Sequence, residues 1–417
     1  MATLGQSPAP ARGPEKPQPS PPSRTPRRVV GLIVVLLVLT LGGVGLRRVG
    51  DAHLRSMGIL AKFADHNAQG FPAQFAGHPF TEEEGVAETP HGPLRFRLYR
   101  PQGVSHPGGI VLLHGIHRAG MEEPRLVNFA RNMAGAGIEI MTPELQDLAD
   151  YRVTPRTVDV IGDAAVVLDH KMGLSKTGVV GLSFAGGLAL LAASKPEYAD
   201  SIGFVVAVGA HDDMTRVARF FAANIVEQPD GSSLAFQAHE YGVLVLAYSH
   251  MEDFFSPQDT PAAREALQKW LWQQPAEAMK AEQTMSPAGQ QELDLLLHHR
   301  DQLQPVLFQT IQRHSDEMQA VSPHSQVSSL RVPVYLLHGA GDSVIPASET
   351  QWLAKDVPPQ ELKDMLISPA MNMIHVDGQR KVSLSEKWAL VDFLARVVKA
   401  ADQLGGATLP ETQSRGK

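Results

Sequence analysis

Three side-chain types in this chain, a serine, an aspartate and a histidine, sit in contexts where they could act together. Ser183 lies in Gly181-Leu182-Ser183-Phe184-Ala185-Gly186, between the β-branched run Val179-Val180 and the small-residue and Leu run Gly187–Ala193. A strand that turns tightly into a helix around a serine holds the hydroxyl on a strained, exposed corner. Gly181 and Ala185 are small because such a turn brings its flanks together; alanine stands where glycine is usual. A hydroxyl is a poor nucleophile until a base takes its proton. An imidazole does so near neutral pH, and a carboxylate on its other nitrogen fixes the tautomer and stabilises the imidazolium. Asp342, in Gly341-Asp342-Ser343 directly after an apolar run, is one candidate carboxylate, and Asp212 or Asp213 is its rival. His375, in Met373-Ile374-His375-Val376-Asp377, is the candidate imidazole. His114 and His338 share a Leu-His-Gly context. The first is expected to shape a loop beside the serine, and the second to be a packed, hydrogen-bonded strand-end residue.

The elements that must position these groups alternate. Glu82–Thr89 and Pro93–Tyr99, around Pro90-His91-Gly92, read as a hairpin, with Leu94, Phe96 and Leu98 alternating with polar neighbours. Gly109–Leu113 is a continuous apolar run typical of a strand covered on both faces. Pro124–Ala136 reads as a helix, Ile138–Met141 as a strand, Pro155–Met172 as an amphipathic helix, and Thr177–Leu182 and Ile202–Val208 as strands. Alternating strands and helices imply a largely parallel sheet with helices on both faces. The alternation stops over Met214–Ser329, which is rich in Gln and Met. Helical stretches there (Ala262–Trp272, Gly289–Arg300, Asp301–Ala320) suggest an inserted lid, or else a second domain. Phe220, Phe221, Phe254, Phe255, Trp270 and Trp272 either line an acyl pocket or form the lid's own core. The sheet resumes at Val332–Asp342. A helix over Ser348–Asp356, a strand over Asp364–Ile367, the loop holding His375, a helix over Ser383–Lys399 and a loose tail after Ala401 complete the chain.

With Leu112–Gly115 (LLHG), Gly181–Gly187 (GLSFAGG), Leu336–Pro346 (LLHGAGDSVIP) and Met373–Asp377 (MIHVD) in this order, the chain resembles the α/β-hydrolase superfamily over Thr81–Lys399. Within it the match is to the branch of dienelactone hydrolases and serine esterases. The resemblance implies the chain order nucleophile, acid, histidine, hence Ser183, Asp342 and His375. It implies an α/β-hydrolase fold, mostly parallel, divided into a first core part (81–211), a helical lid insertion (212–330) and a second core part (331–400). It also implies an oxyanion hole of backbone N–H groups, one from Phe184 and the other from Ile116 or His117. The expected activity is cleavage of a carboxylic ester through an acyl-enzyme on Ser183. A peptidase or amidase of the same fold, or a catalytically silent, membrane-tethered binding module, are the alternatives.

Composition bounds the rest. The chain of 417 residues is 43% hydrophobic, enough for a sizeable core, and holds no cysteine, which excludes disulfides and thiol chemistry. A net charge of -7 gives no reason to expect a nucleic-acid partner. The partner expected is a small-molecule ester or acyl substrate. No metal and no organic cofactor is suggested: His298 and His299 adjoin on a helix and point to different faces. His53, His66 and His78 are too scattered to form a ligand set and read as solvated. Met1–Arg28 is Pro- and Ser-rich with basic residues and reads as a disordered tail. Val29–Leu46 carries no charge, and its length as a helix, about 27 Å, is near that of a bilayer core. It is expected to be a single membrane anchor, with a cleaved signal peptide as the rival. Basic residues before it favour a cytoplasmic N-terminus and an extracytoplasmic catalytic domain. Residues 47–80 read as a connector with a short helix near His53–Asp65.

Overall fold

The computed structural model describes residues 50–173, 176–374 and 382–405. The tail Met1–Arg28 and the apolar run Val29–Leu46 lie outside the described residues. Among the described residues no helix is long and apolar enough to cross a membrane.

The hairpin pairs β1 (Phe80–Thr89) with β2 (Gly92–Pro101) in antiparallel register, Thr89 opposite Gly92. After it come β3 (Gly109–Leu113), β4 (Glu139–Pro143), β5 (Thr177–Leu182), β6 (Ile202–Val208), and, beyond an insertion that includes a small hairpin β7–β8, β9 (Val334–Gly339) and β10 (Leu362–Ser368). The main sheet has eight strands in the order β1-β2-β4-β3-β5-β6-β9-β10, parallel from β4 to β10. The α/β-hydrolase fold has a mostly parallel central sheet of this kind with helices on both faces, and the chain fits it.

Side-chain alternation sorts each strand between two layers. Val111 and Leu113 face a cluster with helices α4 (Pro155–Met172) and α5 (Phe184–Ser194), through Val158, Ile161, Leu168 and Leu188. Ile110 and Leu112 face the opposite cluster, built from α2 (Pro124–Gly135) and α14 (Leu384–Gly405). Local signals set the helix ends. Pro124 opens α2, with the Glu123 carboxylate accepting from the Leu126 N–H, and Gly173 ends α4 with φ at 65°.

Five expectations change in detail. The connector does hold a helix, α1, at residues 50–64, but it is packed. Ala52 and Ile59 are buried in the α2–α14 cluster, and Arg55 pairs with Asp402 at 2.7 Å. His53 is likewise not simply solvated: its ring stacks on Trp388 and its Nε2 lies 3.0 Å from Asp392. The final helix runs on to Gly405, past Ala401, because Ala401 and Gly405 pack backbone to backbone against Gly108. The insertion is not purely helical. It contains the hairpin β7 (Ile225–Glu227) and β8 (Ser233–Ala235), turned at Asp230-Gly231 by the Asp230 carboxylate and the positive φ of Gly231. The stretch Asp301–Ala320 splits at His314 into α11 (Gln304–Arg313) and α12 (Ser315–Ala320). The remaining insertion helices are α6 (Met214–Ala223), α7 (Tyr241–Ser249), α8 (Thr260–Leu271), α9 (Pro275–Glu282) and α10 (Pro287–His298). Helix α3 (Gln146–Ala149) follows β4, and α13 (Ser348–Asp356) follows β9.

Candidate active site

Ser183 sits between β5 and α5 at φ 56° and ψ −133°, a backbone conformation that L-residues seldom adopt. Two contacts hold it there. Its N–H donates to the Val208 carbonyl at 2.7 Å, tying the corner to β6. The strand and helix also pack backbone on backbone: a Cβ on Gly181 would stand 2.5 Å from the Ala185 carbonyl oxygen. This is why position 181, two residues before the serine, is glycine. Phe184 is the first residue of α5, so its N–H belongs to the set that a helix leaves without an internal partner.

The loop after β3 passes directly beside the serine. A Cβ on Gly115 would lie 3.2 Å from Ser183 Cβ and 3.9 Å from its Oγ, so glycine eases this close approach of the backbone. His114, 1% exposed, fixes the loop from below. Its Nδ1 is 2.7 Å from the Gly115 carbonyl and must donate, while Nε2 accepts from the Leu145 N–H at 3.0 Å. That arrangement requires neutral imidazole, and burial pushes its pKa down to about 4. A second brace is Glu144, at the end of β4, whose carboxylate accepts from the Met121 N–H at 3.1 Å and fills the space over Gly120. Nothing in the sequence marks Glu144; its role appears only when the ends of β3 and β4 are adjacent. Ile116 and His117 lie in this loop, half-buried, and the Gly120 N–H donates to the His117 carbonyl.

Asp342 follows β9 in a loop that its own side chain organises: Oδ1 accepts from the Val344 N–H at 2.8 Å and the Ile345 N–H at 3.0 Å. Oδ2 faces Gly209, the residue after β6, where an added Cβ would come within 3.5 Å. The Gly209 N–H bonds to the Leu337 carbonyl. Since Leu182 pairs with Val208 and Val208 with Leu337, Ser183 and Asp342 leave the same sheet edge two strands apart. His338 is fully buried under the Asp342 loop. Its Nε2 donates to the Ile345 carbonyl at 2.8 Å and its Nδ1 accepts from the Thr350 hydroxyl at 2.6 Å. Burial lowers its pKa, so it serves as a neutral strut. His375 lies outside the described residues. The chain that leads to it leaves β10 at Ser368, whose carbonyl accepts from the Ala340 N–H, and so starts beside the Asp342 loop.

The rival carboxylates are used otherwise. Asp213 caps α6, its Oδ1 accepting from the Thr215 and Arg216 N–H groups. Asp212 is buried and pairs with Arg216 at 2.7 Å. Arg216 also binds the buried Glu349 at 2.6 Å, and Glu349 in turn accepts from the Asp212 and Asp213 N–H groups. Asp212, His324 and Asp356 have the spacing of metal ligands, but the guanidinium already neutralises Asp212.

The insertion packs over this sheet edge. Its core buries Phe220, Phe221, Phe254 and Phe255, and the same cluster takes in Phe184 and Ile345 from the site, with Ile116 packed against it. The phenylalanines singled out in the sequence therefore build the insertion's own core. Trp272 instead sits at the seam, with Arg118 of the Ser183-side loop over its ring at 5.9 Å. The His239 N–H donates to the Ser343 carbonyl, tying the start of α7 to the Asp342 loop. Two residues on, the Tyr241 hydroxyl is buried beside Tyr151 with no hydrogen-bond partner among the described residues.

No protein-family model and no curated protein matches the chain. Solved structures with a similar chain path include an esterase from Pyrobaculum calidifontis, at 15% identity, 80% of this chain, 89% of that one and a TM-score of 0.42. Another is a bacterial brefeldin A esterase, described as a homologue of human hormone-sensitive lipase, at 13% identity, 86% and 84% coverage and a TM-score of 0.42. A third is a meta-cleavage product hydrolase, at 14% identity, 76% and 98% coverage and a TM-score of 0.40. The fold assignment itself rests on the strand order and the helix layers of this chain.

Proposed function

We propose that the chain is a serine hydrolase that cleaves a carboxylic ester by acylation and deacylation of Ser183. The observation that carries this reading is the Ser183 backbone, held at φ 56° on a strand-to-helix corner against the Gly115 loop. A protein stores such strain where geometry serves chemistry. In this reading His375 takes the Ser183 proton as the hydroxyl attacks the ester carbonyl, and Asp342 holds the imidazole and stabilises its cation. The N–H groups of Phe184 and Ile116 receive the developing oxyanion, worth about 3 kcal/mol each to the transition state. The imidazolium then returns its proton to the departing alcohol, and water repeats the cycle on the acyl-enzyme. The apolar insertion over the site supports an acyl or small-molecule ester substrate. We propose further that Val29–Leu46 anchors the chain in a membrane, N-terminus cytoplasmic and catalytic domain outside.

A fluorophosphonate probe tests the catalytic reading. It labels the wild type and not Ser183→Ala, and p-nitrophenyl ester turnover falls by at least about 10⁴-fold in that variant. A wild type that takes no label would be a silent fold. Turnover of aminoacyl anilides in preference to p-nitrophenyl esters would make it an amidase instead.

A further inference from the structure

A second group of chemically suited side chains lies in the insertion, where three helix ends meet. His250 ends α7, His314 separates α11 from α12, and Glu317 lies one turn into α12. The two imidazoles stack with centroids 3.8 Å apart and planes tilted by 22°. His314 Nδ1 is 3.2 Å from Glu317 Oε1, and one ligating atom from each of the three residues lies within 4.8 Å of the others. In a tetrahedral site with bonds of about 2.0–2.1 Å, ligand atoms stand roughly 3.3 Å apart. The His314–Glu317 pair already has that spacing; the His250 ring, stacked on His314, has to turn out of the stack to aim a nitrogen at the same point.

We propose that His250, His314 and Glu317 form a binding site for a divalent transition metal of the zinc class, with Asp253 as the positioning residue of His314. Two imidazoles and one carboxylate are a donor set suited to zinc and its neighbours rather than to calcium or magnesium. Asp253, its side chain 2% exposed, has Oδ2 3.2 Å from His314 Nε2. A carboxylate on the far nitrogen fixes the tautomer that leaves Nδ1 free for a metal, the usual support of a ligating histidine. Asp253 is itself held by Arg313. His250 is 8% exposed and follows the last residue of α7, so its ring is held among the helix ends. Both α7 and α11 direct their C-terminal ends here, where the helix dipole favours a cation. Glu317 is 70% exposed in its side chain, so the site opens to solvent, with room for a water as fourth ligand. A metal here would join the end of α7 to the α11–α12 break and stiffen the insertion independently of the Ser183 chemistry. The competing arrangement is metal-free: His314 held by hydrogen bonds between Asp253 and Glu317.

The test uses the full chain in detergent, stripped with a chelator and titrated with Zn²⁺ at pH 7.5 by calorimetry. One equivalent binds, the thermal midpoint rises, and Co²⁺ in its place gives the visible bands of tetrahedral coordination. Glu317→Gln, at an exposed position that leaves folding intact, and His250→Asn each weaken binding at least about tenfold. Ser183→Ala leaves it unchanged, which separates this site from the ester chemistry. Absence of a stoichiometric event, or equal affinity in Glu317→Gln, would overturn the proposal and leave the hydrogen-bonded clamp.

Discussion

At the scale of residues, the site relies on histidines kept neutral so that they can brace rather than react. His114 and His338 each use both ring nitrogens, one under the loop beside Ser183 and one under the Asp342 loop. Their Leu-His-Gly contexts are legible in the sequence, and so is the logic of a donor and an acceptor at a strand end. Glu144 is different: a lone carboxylate after a proline carries no signal until β4 is seen beside β3. Burial acts on carboxylates in the opposite direction. Asp169 on α4 is 4% exposed, with Oδ1 unpartnered among the described residues, and desolvation pushes its pKa up to about 7. The folded chain therefore holds a proton on Asp169 that the unfolded chain releases near pH 4. Its contribution to stability is full below about pH 4 and is lost as the pH rises towards 7. Asp169→Asn, neutral and of the same shape, is expected to gain stability over the wild type progressively from pH 5 to pH 8. Urea unfolding at those two pH values checks it; an advantage that does not grow with pH would show that the carboxyl is not desolvated.

At the scale of elements, the hydrophobic periods locate the parallel strands and the helices of the core closely, because the central strands are buried on both faces and helices such as α2 and α4 carry start and stop signals. The helix over Ser348–Asp356 is found at those residues. The insertion is less legible, since its helices are short and owe their ends to contacts with one another. The break at His314 is one such end: the stretch Asp301–Ala320 looks continuous until His314 meets Asp253 and His250. The hairpin of β7 and β8 is too short to show a period, although its Asp-Gly turn is present in the sequence. What fastens the insertion to the core is a buried charge cluster. Arg216 on α6 is shared by Asp212 and by Glu349 on α13, both carboxylates fully buried, and its guanidinium lies 4.5 Å over the Trp352 ring. Arg216→Met removes the guanidinium that pairs with both buried carboxylates and leaves them without it. It is expected to cost about 3–5 kcal/mol, read as a lower urea midpoint, while Arg216→Lys recovers part. A loss below about 1 kcal/mol would mean that water or proton uptake compensates the pair.

At the scale of the whole molecule, residues from Asp51 on form one compact unit, with α1 laid against α2 and α14. A run read from the sequence as a mere connector is therefore part of the folded body: Ile59 is fully buried, and Arg55 reaches both the Ala136 carbonyl and Asp402. The proposed anchor, Val29–Leu46, and its topology are tested on cells. Protease added to intact cells stripped of their outer barrier is then expected to cut the C-terminal domain. Full protection would reverse the proposed topology, and recovery of the chain in the soluble fraction would remove the anchor.

By itself the sequence determined the class of fold, the corner that carries Ser183 and the order in which the candidate groups occur, because these depend on local rules: apolar periods, small residues at a tight turn, acids and histidines at strand ends. Only the tertiary structure decided what surrounds each candidate carboxylate. Asp213 is spent on a helix cap and Asp212 on Arg216, while Asp342 presents an oxygen towards Gly209. The difference is physical. A carboxylate's chemistry is set by the donors and charges within a few ångströms, and those come from β6, α6, α13 and the end of β9, which are far apart along the chain and adjacent only once the sheet has formed.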